Sequence, residues 1–313
     1  MTIQKAEMKF FDVRHALACR NDRQVKARRT LRALMVLAKP EITLMVMISA
    51  AVGSVMASDS LRVMVLVHCV VGIGLLAAGA AALNQYLERE LDVKMRRTAR
   101  RPLPAAELSE SQALVFGVAV SFAGMLYIFL LLNALTAFLG LLTLIAYLFI
   151  YTPLKTKTSL CTFVGAFPGA APVLMGWSAT TNNLSLEAAN LYAILFLWQF
   201  PHFYAIGWLY RDDYARAGML MLPERQANEG RTTFRLISIS TQLLIIASLL
   251  LTFVARTGTI YLVSAIFLGI TFYYFVYQTS LSRSKLAAKR LLHASVIYLP
   301  LLYLSMILDR LNR

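Results

Sequence analysis

Asn84, Glu88 and Asp92 stand at i, i+4 and i+8 in the segment NQYLERELDVKMRRTARRPLP, residues 84–104. Continued as a helix, this spacing puts three oxygen donors within about 80° of one face and about 12 Å along it. Hard oxygen ligands stacked this way suit Mg²⁺, which takes one or two carboxylates and fills its other positions with water and phosphate oxygens. Six basic residues accompany them: Arg89, Lys94, Arg96, Arg97, Arg100 and Arg101. Such charge answers phosphate oxygens, arginine through paired parallel hydrogen bonds. The pattern predicts a metal and diphosphate site, with Pro102 and Pro104 ending any helix beyond it. A solvated loop that anchors the chain at a membrane is the plainer reading of each arginine alone. Asn84 resists it, because a polar residue one turn inside an apolar run needs a partner.

The elements that must position these residues are membrane helices. The chain of 313 residues is 58% hydrophobic and only 15% charged, which excludes an ordinary soluble domain. Nine candidate spans fall near 34–56, 63–87, 110–132, 135–152, 160–179, 188–209, 235–255, 259–279 and 291–308. Each run is long enough for the roughly 20 residues that a bilayer requires, and alternates too weakly for barrel strands. The expected fold class is therefore all-α: a polytopic membrane protein of about nine transmembrane helices, with a basic tail over 1–33 and one membrane domain over 34–313.

Charge sets the expected orientation. With the N-terminus inside, all but four of the 31 lysines and arginines fall on the inner side; Arg62, Arg256, Arg310 and Arg313 remain outside. That bias follows the positive-inside rule, so the net charge of +15 reads as topology rather than as nucleic-acid binding. The first 33 residues mix Glu7, Asp12 and Asp22 with bases and carry no apolar core or cleavage site. This favours a bacterial inner membrane, with the N-terminus cytoplasmic, over the mitochondrial inner membrane. Cys19, Cys69 and Cys161 lack paired spacing and read as packing or surface residues.

The spaced oxygen ligands resemble the signature of the UbiA-type intramembrane prenyltransferases. Residues 84–104, YTPLKTKTSLCTFVGAFPGAAPVLMGW at 151–177 and LWQFPHFYAIGWLYRDDYARAGMLMLP at 197–223 resemble the haem-farnesylating branch of that superfamily. The resemblance runs over roughly 34–305 in helix order. It implies a UbiA-type bundle and electrophilic prenyl transfer: farnesyl diphosphate loses diphosphate, the 2-vinyl group of haem B captures the allylic cation, and water adds. The product, haem O, serves haem-copper oxidases directly or after oxidation to haem A. A haem A synthase and oxidase assembly proteins are the partners this implies, beside farnesyl diphosphate, haem B and the bilayer. Haem is a substrate in this scheme and Mg²⁺ the cofactor.

The same resemblance assigns further residues. Lys155 and Arg211 join Lys94, Arg96, Arg97, Arg100 and Arg101 on the diphosphate, although inner-side anchoring explains Lys155 and Lys157 equally well. Asp213 is a second metal contact, or else a loop acid paired with Arg211 or Arg216. Trp198, Gln199, His202 and Tyr204 form the acceptor pocket. His202 sits among Trp198, Phe203 and Trp208 in an apolar segment and must find a partner. It is read either as a catalytic residue, contacting haem iron or propionate or handling a proton, or as a bond between helices. Gly165, Pro168, Gly169, Pro172 and Gly176 shape a span around a planar ligand, or simply let helices pack closely. Two rivals remain: a prenyltransferase for a quinone precursor or another aromatic acceptor, which would differ over 197–223, and a non-enzymatic transporter or assembly protein, which would place its charges at mid-membrane.

Overall fold

A computed structural model describes residues 24–223, 230–255 and 257–312. The tail up to residue 23, with His15 and Cys19, and also Arg256 and Arg313, lie outside the described residues. All regular structure among the described residues is helical. In chain order the helices are α1 (Gln24–Leu37), α2 (Pro40–Met56), α3 (Val63–Asp92), α4 (Glu110–Leu131), α5 (Ala134–Ile145), α6 (Thr152–Leu154), α7 (Cys161–Thr181), α8 (Leu186–Leu209), α9 (Arg211–Arg216), α10 (Arg231–Val254), α11 (Thr259–Ser282) and α12 (Lys285–Leu311).

The all-helical membrane fold is as expected, while the count of nine spans is not confirmed. Each predicted segment is helical, but among the described residues only α3, α4, the α5–α6 unit, α10, α11 and α12 are long and apolar enough to cross a membrane. The bent pair α1–α2 makes a seventh. The two that fall short, α7 and α8, carry Pro168, Pro172 and Pro201 inside the helix, with Asn190, Gln199 and His202 among their apolar residues. Their place in the bundle accounts for this. α7 packs on α2, α5 and α8, and α8 packs on α10 and α12, so polar groups there meet protein rather than lipid. Exposed apolar side chains such as Phe149, Phe253 and Phe267 cover the outside. The chain is a polytopic membrane protein with an all-helical fold.

Three local features shape the end of the bundle that holds Asp92. α3 has 30 residues, hence a length of about 45 Å, so its last turns project past a hydrocarbon core of about 30 Å. Between α1 and α2 the chain bends by 48° at Lys39, whose left-handed backbone (φ 48°) reflects the exclusion of a right-handed helix before Pro40. Between α5 and α6 a π-helical turn spans Ala146–Tyr151, just before Pro153, which has no N–H to continue a regular ladder. Lys39 and Thr152 are thereby brought to the same stretch of α3.

Close helix approach explains two of the small residues. A Cβ at Gly176 would collide with the Ala50 carbonyl of α2, and one at Gly169 with the Gln199 side chain of α8. At these positions the glycines serve helix packing.

Candidate active site

α3 continues through Asp92, so the three predicted ligands share one face as the spacing required, and all three are buried. Each meets a basic side chain. Lys39 Nζ donates to Asn84 Oδ1 at 3.1 Å, while Asn84 Nδ2 donates to Thr152 Oγ1 at 3.1 Å. Lys155 Nζ donates to Glu88 Oε1 at 2.5 Å. Arg101 donates from one nitrogen to both Asp92 oxygens, at 2.8 and 2.7 Å, and Thr98 Oγ1 donates to the Asp92 carbonyl at 2.8 Å. Lys155 also sits over the Tyr151 ring, 4.4 Å from its centre. Burial alone favours its neutral amine, but the Glu88 carboxylate and the nearby tyrosines outweigh burial and hold its pKa above the ordinary lysine value. It stays charged at neutral pH.

The sequence reading fares unevenly among the basic residues. Arg101 and Lys155 enter the cluster, on Asp92 and Glu88 respectively. The side chains of Lys94, Arg96 and Arg100 are exposed and make no ion pair or hydrogen bond among the described residues. Arg97 turns instead toward α9: its backbone N–H donates to Asp213 Oδ2 at 3.3 Å and its guanidinium to the Tyr214 hydroxyl at 3.4 Å. Asp213 is further paired with Arg216. This bond lashes the 93–101 turn to α9, and Asp213 meets the first loop through Arg97 rather than through Glu88 or Asp92. Arg211 stacks on Trp208, 4.6 Å from the ring centre, and approaches Asp212 at 3.9 Å. Among the described residues no three His, Cys, Asp or Glu side chains converge on a metal position.

Two groups were missed. In the sequence Lys39 counts only among the inner-side charges, although a lysine directly before Pro40 at the head of an apolar run is a visible signal. Thr152 had no such signal, because the π-helical turn that aims it is not written in periodicity.

The proposed acceptor residues lie deeper. Gln199 is buried, and its amide donates to the Ala166 and Leu195 carbonyls at 2.9 and 3.3 Å, bridging α7 and α8. Trp198 Nε1 donates to the Ser295 carbonyl of α12 at 2.8 Å, and its ring stacks on His202 with centres 4.5 Å apart. His202 Nδ1 lies 2.8 Å from Ser295 Oγ. Tyr204 is buried beside Phe200. The bond between helices expected for His202 is thus present, and Ser295 is a partner that sequence reasoning did not name.

Comparison with known proteins agrees with this architecture. The family described as the UbiA prenyltransferase family matches residues 46–297. Over 290 residues the chain is 45% identical to a protein of Solibacter usitatus (strain Ellin6076) named protoheme IX farnesyltransferase, covering 90% of this chain and 99% of the relative. Among solved structures it resembles a digeranylgeranylglyceryl phosphate synthase, with a TM-score of 0.74 at 15% identity, covering 91% of this chain and 99% of that one. It also resembles a UbiA homologue from Archaeoglobus fulgidus bound to DMAPP and Mg²⁺, with a TM-score of 0.60 at 12% identity, covering 89% and 99%. At such identities the solved structures share the fold.

Proposed function

This chain belongs to the UbiA prenyltransferase family, and from that premise we propose that it transfers the farnesyl group of farnesyl diphosphate to haem B, giving haem O. The C1–O bond of the diphosphate breaks, the allylic cation bonds to the terminal carbon of the 2-vinyl group, and water captures the cation left beside the ring with loss of a proton. The observation that carries this reading is the pairing of three buried oxygen ligands on α3 with three basic side chains from three other segments.

That arrangement suits departure of diphosphate. Asn84, Glu88 and Asp92 offer one amide and two carboxylate oxygens, a donor set that fits Mg²⁺. A bound Mg²⁺ supplies Lewis-acid stabilisation of the leaving group. The chain's own cations do the rest. Lys39, Lys155 and Arg101 hold the ligands when the substrate is absent, and in the substrate complex they turn to the phosphate oxygens and free the carboxylates. Their positive charge, fixed in a site with little water, then stabilises the charge that develops as the C1–O bond breaks. Lys94, Arg96 and Arg100 draw the anionic substrate to the site from solvent, and Arg211 lines its approach. Asp213 acts through Arg97 to hold the turn in place. The farnesyl chain lies between the helices, and Trp198, Gln199, His202 and Tyr204 flank the haem.

The cluster occupies the cytoplasmic face of a bacterial inner membrane, with the N-terminus on that side. The haem O formed there passes to a haem-copper oxidase or to a haem A synthase. Purified protein given haem B, farnesyl diphosphate and Mg²⁺ should yield a hydroxyethylfarnesyl haem by mass spectrometry, and removal of Mg²⁺ by chelation should abolish it. Farnesylation of a quinone precursor in place of haem would overturn the acceptor assignment.

A further inference from the structure

Ser295 of α12 is fully buried and bonds to both rings of the acceptor region: its carbonyl accepts from Trp198 and its hydroxyl meets His202. The same hydroxyl lies 2.7 Å from the Leu292 carbonyl. A carbonyl cannot donate, so the single hydroxyl proton must lie between Ser295 Oγ and Leu292 O; otherwise two oxygens would face each other at 2.7 Å with no proton between them. Ser295 Oγ then has only a lone pair left for His202, and Nδ1 must carry the ring proton. Nε2 is therefore the unprotonated nitrogen. It makes no hydrogen bond among the described residues and belongs to a side chain that is partly accessible. Trp198, stacked on one face of the imidazole and tied to the same serine, fixes the ring plane. A histidine with one nitrogen donating to a fixed acceptor and the other offering a free lone pair is the arrangement that metal-bound histidines adopt.

His202 lies seven residues, about 10 Å along the axis, before the C-terminal end of α8, where the Arg97 guanidinium of the 93–101 turn sits over the Tyr210 ring. A planar macrocycle bound there through its centre would extend an edge toward that end of the bundle. We infer that His202 Nε2 ligates the iron of the haem acceptor, and that Ser295 is the positioning residue that holds His202 in the required tautomer. This rests on haem being the acceptor, and gives that acceptor a specific anchor.

The experiment compares haem B with iron-free protoporphyrin IX as ligands of the purified full chain, following the Soret band and the affinity for each. The intact protein should show a histidine-ligated haem spectrum and bind haem more tightly than the iron-free ring. His202→Ala should lose both the spectrum and the preference, while still binding farnesyl diphosphate, which shows that it is folded. Ser295→Ala should weaken haem binding by about 10-fold with little change for the iron-free ring, and Ser295→Thr, which keeps the hydroxyl, should restore it. An unchanged Soret band in His202→Ala, with haem O still formed by the intact chain, would overturn the ligation while leaving the acceptor in place. Absence of both haem binding and haem O formation in the intact chain would overturn the two together.

Discussion

Two ends of the bundle bury acids, and they satisfy them differently. At the end holding the α3 cluster, Glu88 and Asp92 face the side-chain cations Lys155 and Arg101. At the opposite end, the carboxylate of Asp309 on α12 accepts from the backbone N–H groups of Gly258 and Tyr261, at 2.6 and 3.1 Å. It thereby caps the first turn of α11 from another helix. Nearby, Arg310 donates to the Met56 carbonyl at 3.2 Å and approaches Asp59 at 3.6 Å, and Arg62 donates to the Thr180 carbonyl at 3.4 Å. Backbone donors are fixed by the helix and cannot leave their acceptor. Lysine and arginine side chains can swing to another anion, so in the proposed function the first pair of acids changes partners when a metal and a diphosphate arrive. On that proposal the contrast separates an acid that acts in chemistry from one that holds helices together.

That contrast is open to direct attack. Glu88→Gln or Asp92→Asn should lower kcat by about 100-fold or more while leaving a folded protein in the membrane, read by turnover alongside thermal melting. Retained activity in both would remove the metal assignment. Lys155→Met strands the buried Glu88 carboxylate and should lower stability by about 3 kcal/mol as well as activity. Adding Glu88→Gln to it should return much of the stability and none of the activity, a split visible when melting and turnover are measured on the same samples. Asp309→Ala should do the reverse of the first pair, costing about 1–2 kcal/mol of stability through the lost cap while kcat per folded molecule stays within about 2-fold. The smallest effect concerns pH. Because Lys155 has its pKa raised in the folded protein, its contribution to stability is fully present below the ordinary value of 10.5 and is lost only as pH rises through the higher folded value. Melting of the intact protein should therefore show no step from this group between neutral pH and 10.5; an Lys155-dependent fall in Tm within that range would contradict the pairing.

The contrast also marks what could be read from sequence. The α3 ligands were legible because helical spacing alone decides whether Asn84, Glu88 and Asp92 share a face, and nothing distant had to be known. The helices were legible from apolar length, although α7 and α8 show that a helix buried among other helices need not look like a span. Which cation meets which acid was not legible: Arg101 and Lys155 stand among eight nearby bases, and the choice depends on where the 93–101 turn folds back and on the π-helical turn before Thr152. Lys39 reaches Asn84 only because the chain breaks at Pro40. His202 announced that it needed a partner, but a serine 93 positions away cannot be identified without the packing of α8 on α12. Asp309 is likewise an unremarkable acid near the C-terminus until α11 is seen to begin against it.

The most direct test of the account is mass spectrometry of haem extracted from membranes that express the intact chain, the Asp92→Asn variant or the Asp309→Asn variant. The account predicts farnesylated haem with the intact chain, none with Asp92→Asn, and near-normal amounts per folded molecule with Asp309→Asn. Equal product from the intact chain and Asp92→Asn, or loss of product only with Asp309→Asn, would contradict it.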